Sequence, residues 1–355
     1  MKILHIHTKM VSGGIEAIVC NLVNEMSKNN DVTLCTIFQP SGNDVFYNKL
    51  DSKVNKITIG KKNFGFSIKE IWKIYRVISK GNYDVVHIHG CFQYYFLAIA
   101  LLHTKVRFVY TIHSDASKEN QTWDWRLFKL KEYMFSHRWM IPVTISEVSQ
   151  SSFEQLYHCD SFLIYNGISK GKVIPSTLNE IEKLRKTANT KVFLHAGRIS
   201  KPKNQLVLCK VFKQLVADGK DVVLVIAGSA EEKDIYESLK PYFSDRIVYL
   251  GERDDVVSLM ADSDAFCLPS LWEGLPVTLL EALSVGCIPV CSPVGGIVNV
   301  VQSGVNGLLS KDPSEYEYLS AIRDFLNMAD EARNLMKNSA LRSFNKYDIK
   351  NCVKR

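Results

Sequence analysis

Runs of apolar, often β-branched residues recur along the chain, separated by segments whose apolar positions fall three or four apart. In the first half the runs are KILHIHT, VTLCTI, KITIG, DVVHIHG, RFVYTIH, PVTIS and SFLIYNG, which read as strands. Helical spacing fits between them around residues 15–28, 67–80 and 126–137. The alternation breaks at YNGISKGKVIPSTLNE, where glycine, lysine, proline and polar residues cluster without a period. It restarts as VFLHAG, DVVLVIAG, RIVYLGE, AFCLPS and IPVCSP, and a helical stretch near 313–345 follows with no further strand.

Alternating strands and helices imply βαβ units and parallel sheets. Two such alternations predict an α/β protein of two doubly wound parallel-sheet domains facing each other across a cleft. The expected limits are residues 1–168 and 169–340, with 341–355 a terminal helix or tail packing back on the first domain. Ligands of such sheets collect at the carboxyl ends of the strands, so chemistry is sought there and in the turns that follow.

Composition excludes several classes. With 46% apolar and 23% charged residues the chain is globular, and its 355 residues suffice for two cores. The longest apolar run, YYFLAIALL at 94–102, is about half of the ~20 residues a membrane-spanning helix needs. MKILHIHTKM reads as a first strand rather than a leader. Nine scattered cysteines fit reduced thiols in a cytoplasm, and Cys287 and Cys291 lack the companion ligands of a zinc site. The net charge of +7 is uneven: residues 1–170 hold 20 Lys and Arg against 14 Asp and Glu, the remainder 24 against 23. An anionic partner or surface is therefore expected on the first half.

Several motifs carry candidate chemistry. LWEGLPVTLLEALSVG, residues 271–286, sets Glu273 and Glu281 in an apolar segment. Pro276 suits the first turn of a helix and Gly286 the position past its end, giving a helix over about 276–285. Glu273 then stands in the loop before the helix and Glu281 inside it. A strand end, a loop and a helix N-terminus make a pocket for an anionic or polar ligand. A structural ion pair for Glu281 and a helix cap for Glu273 account for them equally well. In HAGRISKPKNQ, residues 195–205, Gly197 ends a strand, and Arg198 and Lys203 precede a helix near Asn204. Two cations there suit a diphosphate, although solvated loop charge is the commoner meaning of such a pair. Gly13 and Gly14 open a helix after the first strand, without the dinucleotide fingerprint or a phosphate-loop lysine. His113 ends the strand of TIHSD, with Asp115 two residues on. His87 and His89 read as strand-end packing or cleft lining, and Asp262 and Asp264 as cap or turn residues rather than metal ligands.

Taken in order, these pieces resemble the large family of retaining, nucleotide-sugar-dependent glycosyltransferases with the GT-B fold, family four. The resemblance runs through the glycine loop, DVVHIHG, TIHSD, YNGI, GRISKPKN, ADSDAFCLPS, the pair of glutamates with seven residues between them, and GGIVNVVQSGVNGLL. It implies that Arg198 and Lys203 hold the donor diphosphate, Glu281 the ribose hydroxyls, and Glu273 the donor sugar hydroxyls. His113 matches the histidine contacting the sugar near the reacting centre. Gly13 and Gly14 match the loop closing over the phosphates. Gly197, Leu275 and Val277 fall in the donor-binding turns, and GERDDV is expected to approach the base through Arg253. Two positions depart from the family pattern: Asn299 stands where many members have glutamate, and Pro276 where many have glycine.

The implied reaction moves a sugar from a UDP- or GDP-sugar to a saccharide or lipid-linked saccharide with retention, in capsule, exopolysaccharide or O-antigen synthesis. Cations and helix-terminal N–H groups would stabilise the departing diphosphate, so neither a metal nor another cofactor is required. The rival readings are a nucleotide-sugar epimerase, a phosphorylase lacking a convincing aldimine lysine, and a catalytically idle sugar-nucleotide-binding subunit. The expected location is cytoplasmic, with no nucleic-acid partner. Peripheral membrane contact is suggested by Lys69, Lys73, Arg76 and Lys80 at helical spacing, with Ile71, Trp72, Tyr75 and Ile78 between them, and by the aromatic and basic segment 123–140. An ordinary amphipathic helix with solvated lysines explains 67–80 equally well.

Overall fold

The computed structural model describes residues 1–11, 13–41, 44–63, 65, 67–90, 99, 105–113, 116 and 125–354. Asp115 and most of YYFLAIALL lie outside them, as do Trp123 and Asp124. The chain forms two compact units, Met1–Ser169 with Asp348–Arg355, and Lys170–Tyr347.

In the first unit seven parallel strands are ordered β3-β2-β1-β4-β5-β6-β7. They are β1 (Lys2–His7), β2 (Asp31–Phe38), β3 (Asn55–Lys61), β4 (Val85–His89), β5 (Arg107–Ile112), β6 (Met140–Thr144) and β7 (Phe162–Leu163). Alternate residues point to opposite faces. Leu4, Ile6, Val86, Ile88, Phe108, Tyr110 and Ile112 share one core with Ile74 and Ile78 of helix Ile68–Gly81. The other face of β1 and β4 carries His5, His7, His87 and His89 beyond Ile3 and Val85. The chain end closes on this unit. Ile349 N–H donates to the Ile168 carbonyl, and Gly167 lies so close to helix Ile349–Cys352 that a Cβ would sit 2.7 Å from that of Cys352.

In the second unit six parallel strands are ordered β10-β9-β8-β11-β12-β13. They are β8 (Lys191–Ala196), β9 (Val222–Ala227), β10 (Ile247–Gly251), β11 (Ala265–Leu268), β12 (Ile288–Cys291) and β13 (Leu308–Leu309). β9, β11 and β12 are buried on both faces, the signature of a parallel sheet covered by helices. Cys287 and Cys291 are free, buried thiols pushed well above their usual range by burial.

Three expectations about local structure need correction. The supposed break contains a helix, Pro175–Glu182, which begins on its proline. The stretch 313–345 is two helices, Glu315–Asn327 and Asp330–Ser343, separated by extended backbone at Met328 and Ala329. Pro276 is the N-cap of helix Val277–Val285 rather than part of its first turn, its ψ of 123° being extended.

Candidate active site

In the second unit the strand ends come together through glycine. A Cβ on Gly228 would strike the Gly197 carbonyl, and Gly228 N–H donates to the Gly251 carbonyl at 2.7 Å. After Gly197 the chain runs through Arg198 into a short 3-10 turn, Lys201–Lys203. Asn204 then adopts the left-handed conformation (φ 57°), and helix Gln205–Ala217 begins. Buried Gln205 holds this turn: its amide donates to the Arg198 carbonyl at 2.8 Å and contacts His195 Nε2 at 3.1 Å. His195 Nδ1 in turn bonds the Cys267 carbonyl at 2.9 Å, and burial lowers its pKa to about 4. His195 is therefore a neutral bracket between β8 and β11.

Lys203 reaches across to the other candidate loop. Its Nζ lies 2.5 Å from Glu273 Oε1, which also accepts from Ser270 Oγ at 2.7 Å. Both partners are largely enclosed, their side chains 21% and 11% exposed. Glu273 is thus held by a cation and a hydroxyl, and does not cap the helix that follows. Two backbone bonds tie the same loops, from Leu271 N–H to the Pro202 carbonyl and from Gly296 N–H to the Gly274 carbonyl. A Cβ on Gly295 or Gly296 would strike the carbonyls of Glu273 or Gly274. The GG pair therefore serves close backbone approach, a signal legible in GGIVNVV that reading by charge alone passes over.

Helix Val277–Val285 starts just past Glu273, with Leu275 buried before it and Val277 as its first residue. First-turn N–H groups have no intrahelical carbonyl, so this end presents donors to an anion. Glu281 is half-buried in the same helix. Asn299 lies in the turn Ile297–Val300, its carbonyl accepting from the Tyr347 hydroxyl at 3.3 Å.

The two candidate arginines behave differently from Lys203. Arg198 is 60% exposed and meets Glu231 at 3.4 Å, so Arg198 and Lys203 have separate carboxylate partners. Arg253 is committed elsewhere: its guanidinium bonds both oxygens of Glu180 at 2.9 and 2.7 Å and both of Asp255 at 2.8 and 2.7 Å. Four hydrogen bonds from one guanidinium make it a strut joining helix Pro175–Glu182 to the start of helix Val256–Asp262. Asp264, similarly, is consumed by Arg185 and the Val192 N–H, at 2.7 and 2.8 Å.

In the first unit the candidates sit at the ends of β1, β4 and β5. Gly13 caps helix Gly14–Met26 with extended backbone, and Glu16 of its first turn folds back toward it, 3.6 Å from His7 Nε2. His113 is buried just past β5, with its Nε2 3.3 Å from His89 Nδ1. His89 Nε2 lies 3.0 Å from His5 Nδ1, while His7 Nδ1 donates to the His89 carbonyl at 3.0 Å. His87 Nε2 meets the Thr111 hydroxyl at 2.7 Å. The histidines of DVVHIHG thus belong to a five-histidine cluster. Its β1 members, His5 and His7, were detectable as a further H-x-H at residues 5–7.

Two doubly wound parallel-sheet units, each with polar side chains gathered at its strand ends, define the GT-B class. A family model for glycosyl transferases group 1 matches residues 176–342, and one for glycosyltransferase family 4 matches residues 12–171. The chain belongs to this glycosyltransferase family. It is 26% identical to the UDP-Gal:α-D-GlcNAc-diphosphoundecaprenol α-1,3-galactosyltransferase of Escherichia coli, over 97% of this chain and 93% of that one. A 116-residue stretch is 34% identical to the N,N'-diacetylbacillosaminyl-diphospho-undecaprenol α-1,3-N-acetylgalactosaminyltransferase of Campylobacter jejuni, covering 33% of this chain and 31% of that one. The crystal structure of Anabaena HepE in complex with UDP-glucose superposes with a TM-score of 0.79 at 21% identity, covering 100% and 97% of the two chains. No helix among the described residues is long and apolar enough to cross a membrane.

Proposed function

We propose that the protein transfers a sugar from a UDP-sugar to a lipid-linked saccharide, with retention of anomeric configuration, in the assembly of a surface polysaccharide. The observation that carries this reading is the Lys203–Glu273 pair, fixed between the turn after β8 and a helix N-terminus. Such an arrangement offers a cation and backbone donors to a diphosphate, and a carboxylate to sugar hydroxyls. Diphosphate binding there would draw Lys203 toward phosphate and release Glu273 to accept from the sugar. Arg198, exposed and weakly paired, is the cation freest to swing onto the same phosphates. Glu281 takes the ribose, Leu275 and Val277 flank the donor, and the Gly13–Gly14 loop borders the phosphates. His113 keeps a contact to the donor sugar. Arg253 is not retained as a base contact, because four of its five guanidinium N–H groups are already engaged by carboxylates. UDP is preferred over GDP because the HepE complex and the Escherichia coli relative both carry it in their names.

Stabilising the departing nucleotide diphosphate lowers the barrier to cleaving the sugar–phosphate bond. The acceptor hydroxyl attacks from the same face, and the leaving phosphate takes its proton. Peripheral membrane contact has physical support in helix Ile68–Gly81. Ile68 and Trp72 are 73% and 55% exposed on it, and Arg76 stacks over Trp72 at 5.6 Å.

The test is a panel of UDP-, GDP- and ADP-sugars titrated into wild type, Glu281→Ala and Arg198→Ala. A UDP-sugar should bind best, and each substitution should weaken it by about tenfold or more, the worth of a charge-assisted hydrogen bond. Equal binding by all three proteins would remove the assignment.

A further inference from the structure

Three of the clustered histidines make more than a packed group. The register sets His5 of β1 beside His87 of β4, and His89 of β4 beside Thr111 of β5, with His113 two residues beyond. His113, His89 and His5 then form a continuous line, Nε2 to Nδ1 at 3.3 Å and Nε2 to Nδ1 at 3.0 Å. The His5 and His89 planes are inclined by only 12°, with centroids 5.3 Å apart; His89 and His113 are inclined by 39°, with centroids 5.5 Å apart. In both pairs the centroid separation exceeds the nitrogen separation by about one ring's width. The rings are therefore set end to end, and each contact is an N–H···N hydrogen bond in the ring plane rather than a face stack.

Burial keeps the chain uncharged: His5 and His113 fall to about 3, and His89 is well below the usual imidazole range. A neutral imidazole has one donor and one acceptor nitrogen, so three rings in line admit two proton arrangements. In the first, His5 donates to His89, His89 donates to His113, and His113 turns Nδ1–H outward. In the second every bond reverses, and the spare N–H lies on His5 Nε2. Both terminal atoms are buried and lack a hydrogen-bond partner among the described residues. A buried N–H without an acceptor is costly, so the spare donor belongs at the end that meets a ligand. That end is His113, past the carboxyl end of its strand; His5 is enclosed within β1.

We propose that His5 and His89 are positioning residues that hold His113 in its Nδ1–H form, a donor aimed at an oxygen of the bound sugar. This rests on the reading of His113 as a sugar contact. His5, His87 and His89 also bring one nitrogen each within 4.8 Å of one another, a spacing open to a metal ion. The chain favours hydrogen bonding, since the lone pair such an ion would take from one ring is already filled by its neighbour's N–H.

The test combines histidine-specific 15N NMR of the whole protein, with His113→Gln to assign the signal, and titration of UDP and UDP-glucose. Wild type should show His113 protonated on Nδ1. His5→Phe keeps the ring volume but removes the donor to His89. It should convert the His113 signal to a mixture of tautomers and cost about tenfold in UDP-glucose affinity, leaving UDP binding unchanged. His5→Asn places an amide nitrogen where Nδ1 was, and should restore both. An Nε2–H His113 in wild type, or identical behaviour of the Phe and Asn variants, overturns the proposal. If wild type binds neither UDP nor UDP-glucose, the functional reading falls, and the tautomer measurement alone decides the chain.

Discussion

The strand ends of the two units are built from opposite materials. In the second unit the polar groups are charged and held by near-contact of backbones: Lys203 on Glu273, Arg253 between Glu180 and Asp255, and Gly295 and Gly296 against the Glu273 loop. In the first unit they are neutral imidazoles, hydrogen-bonded to one another across three strands. Charged pairs suit a site that must exchange an internal partner for a diphosphate, because each charge is half-satisfied by either. Neutral imidazoles suit a site facing hydroxyls, which both donate and accept.

Acid should separate buried imidazoles from paired carboxylates most strongly. In the unfolded chain histidine takes a proton near 6.5, whereas folded His5 and His113 do so only at about 3 and His195 at about 4. Between these values the unfolded state binds more protons, so stability should fall as pH drops from 6.5 toward 3. Asp221 of the second unit acts lower. Its hydrogen bond from Thr187, followed by those from Arg246 and Thr190, depresses its pKa to about 2, so its contribution is lost only as pH falls from 3.8 toward 2. Acid unfolding followed by circular dichroism should therefore begin above pH 4. His5→Asn should flatten that first limb, and Asp221→Asn should leave it unaltered. An acid transition confined below pH 4 would count against neutral histidines in the fold.

The next largest effect is expected from the glycines. Gly295→Ala places a methyl against the Glu273 carbonyl at a φ of +52°, and should cost about 3 kcal/mol in urea unfolding and weaken donor binding. Gly304→Ala, at a φ of +80° with nothing within 4 Å, should cost only about 1 kcal/mol. Equal costs would show that close approach of the two loops is not what Gly295 serves.

The smallest effect compares two arginines. Arg253→Gln leaves Glu180 and Asp255 without their shared cation and should lower stability by about 2 kcal/mol. Arg198→Ala removes an exposed pair and should change stability by less than about 0.5 kcal/mol, whatever it does to donor binding. Thermal and urea unfolding of the two variants would invert this order if Arg253 were a ligand-facing residue and Arg198 a strut.

Much of this was legible along the chain, and the failures were physical. Twelve of the thirteen strands among the described residues stand out as apolar runs, most of them β-branched. β13 does not: it is as short as β7, but its two leucines lack the β-branched and aromatic neighbours that mark SFLIYNG. Helix Pro175–Glu182 is hidden for a related reason: it is short, follows a glycine- and lysine-rich stretch, and Ile181 is its buried apolar contact. Arg253 is ambiguous in the sequence, because a cation beside a strand end looks the same whether it meets a ligand or two carboxylates.

By itself the sequence determined the architecture and the chemical types at the strand ends, since periodicity, turn residues and composition act over a few neighbours. Tertiary structure alone decided the pairings. Glu273 lies seventy residues from Lys203, Glu180 lies seventy-three from Arg253, and the imidazole line draws on residues 5, 89 and 113. The physical reason is that strand order and register bring these groups to hydrogen-bonding distance, and neither is encoded in any local stretch.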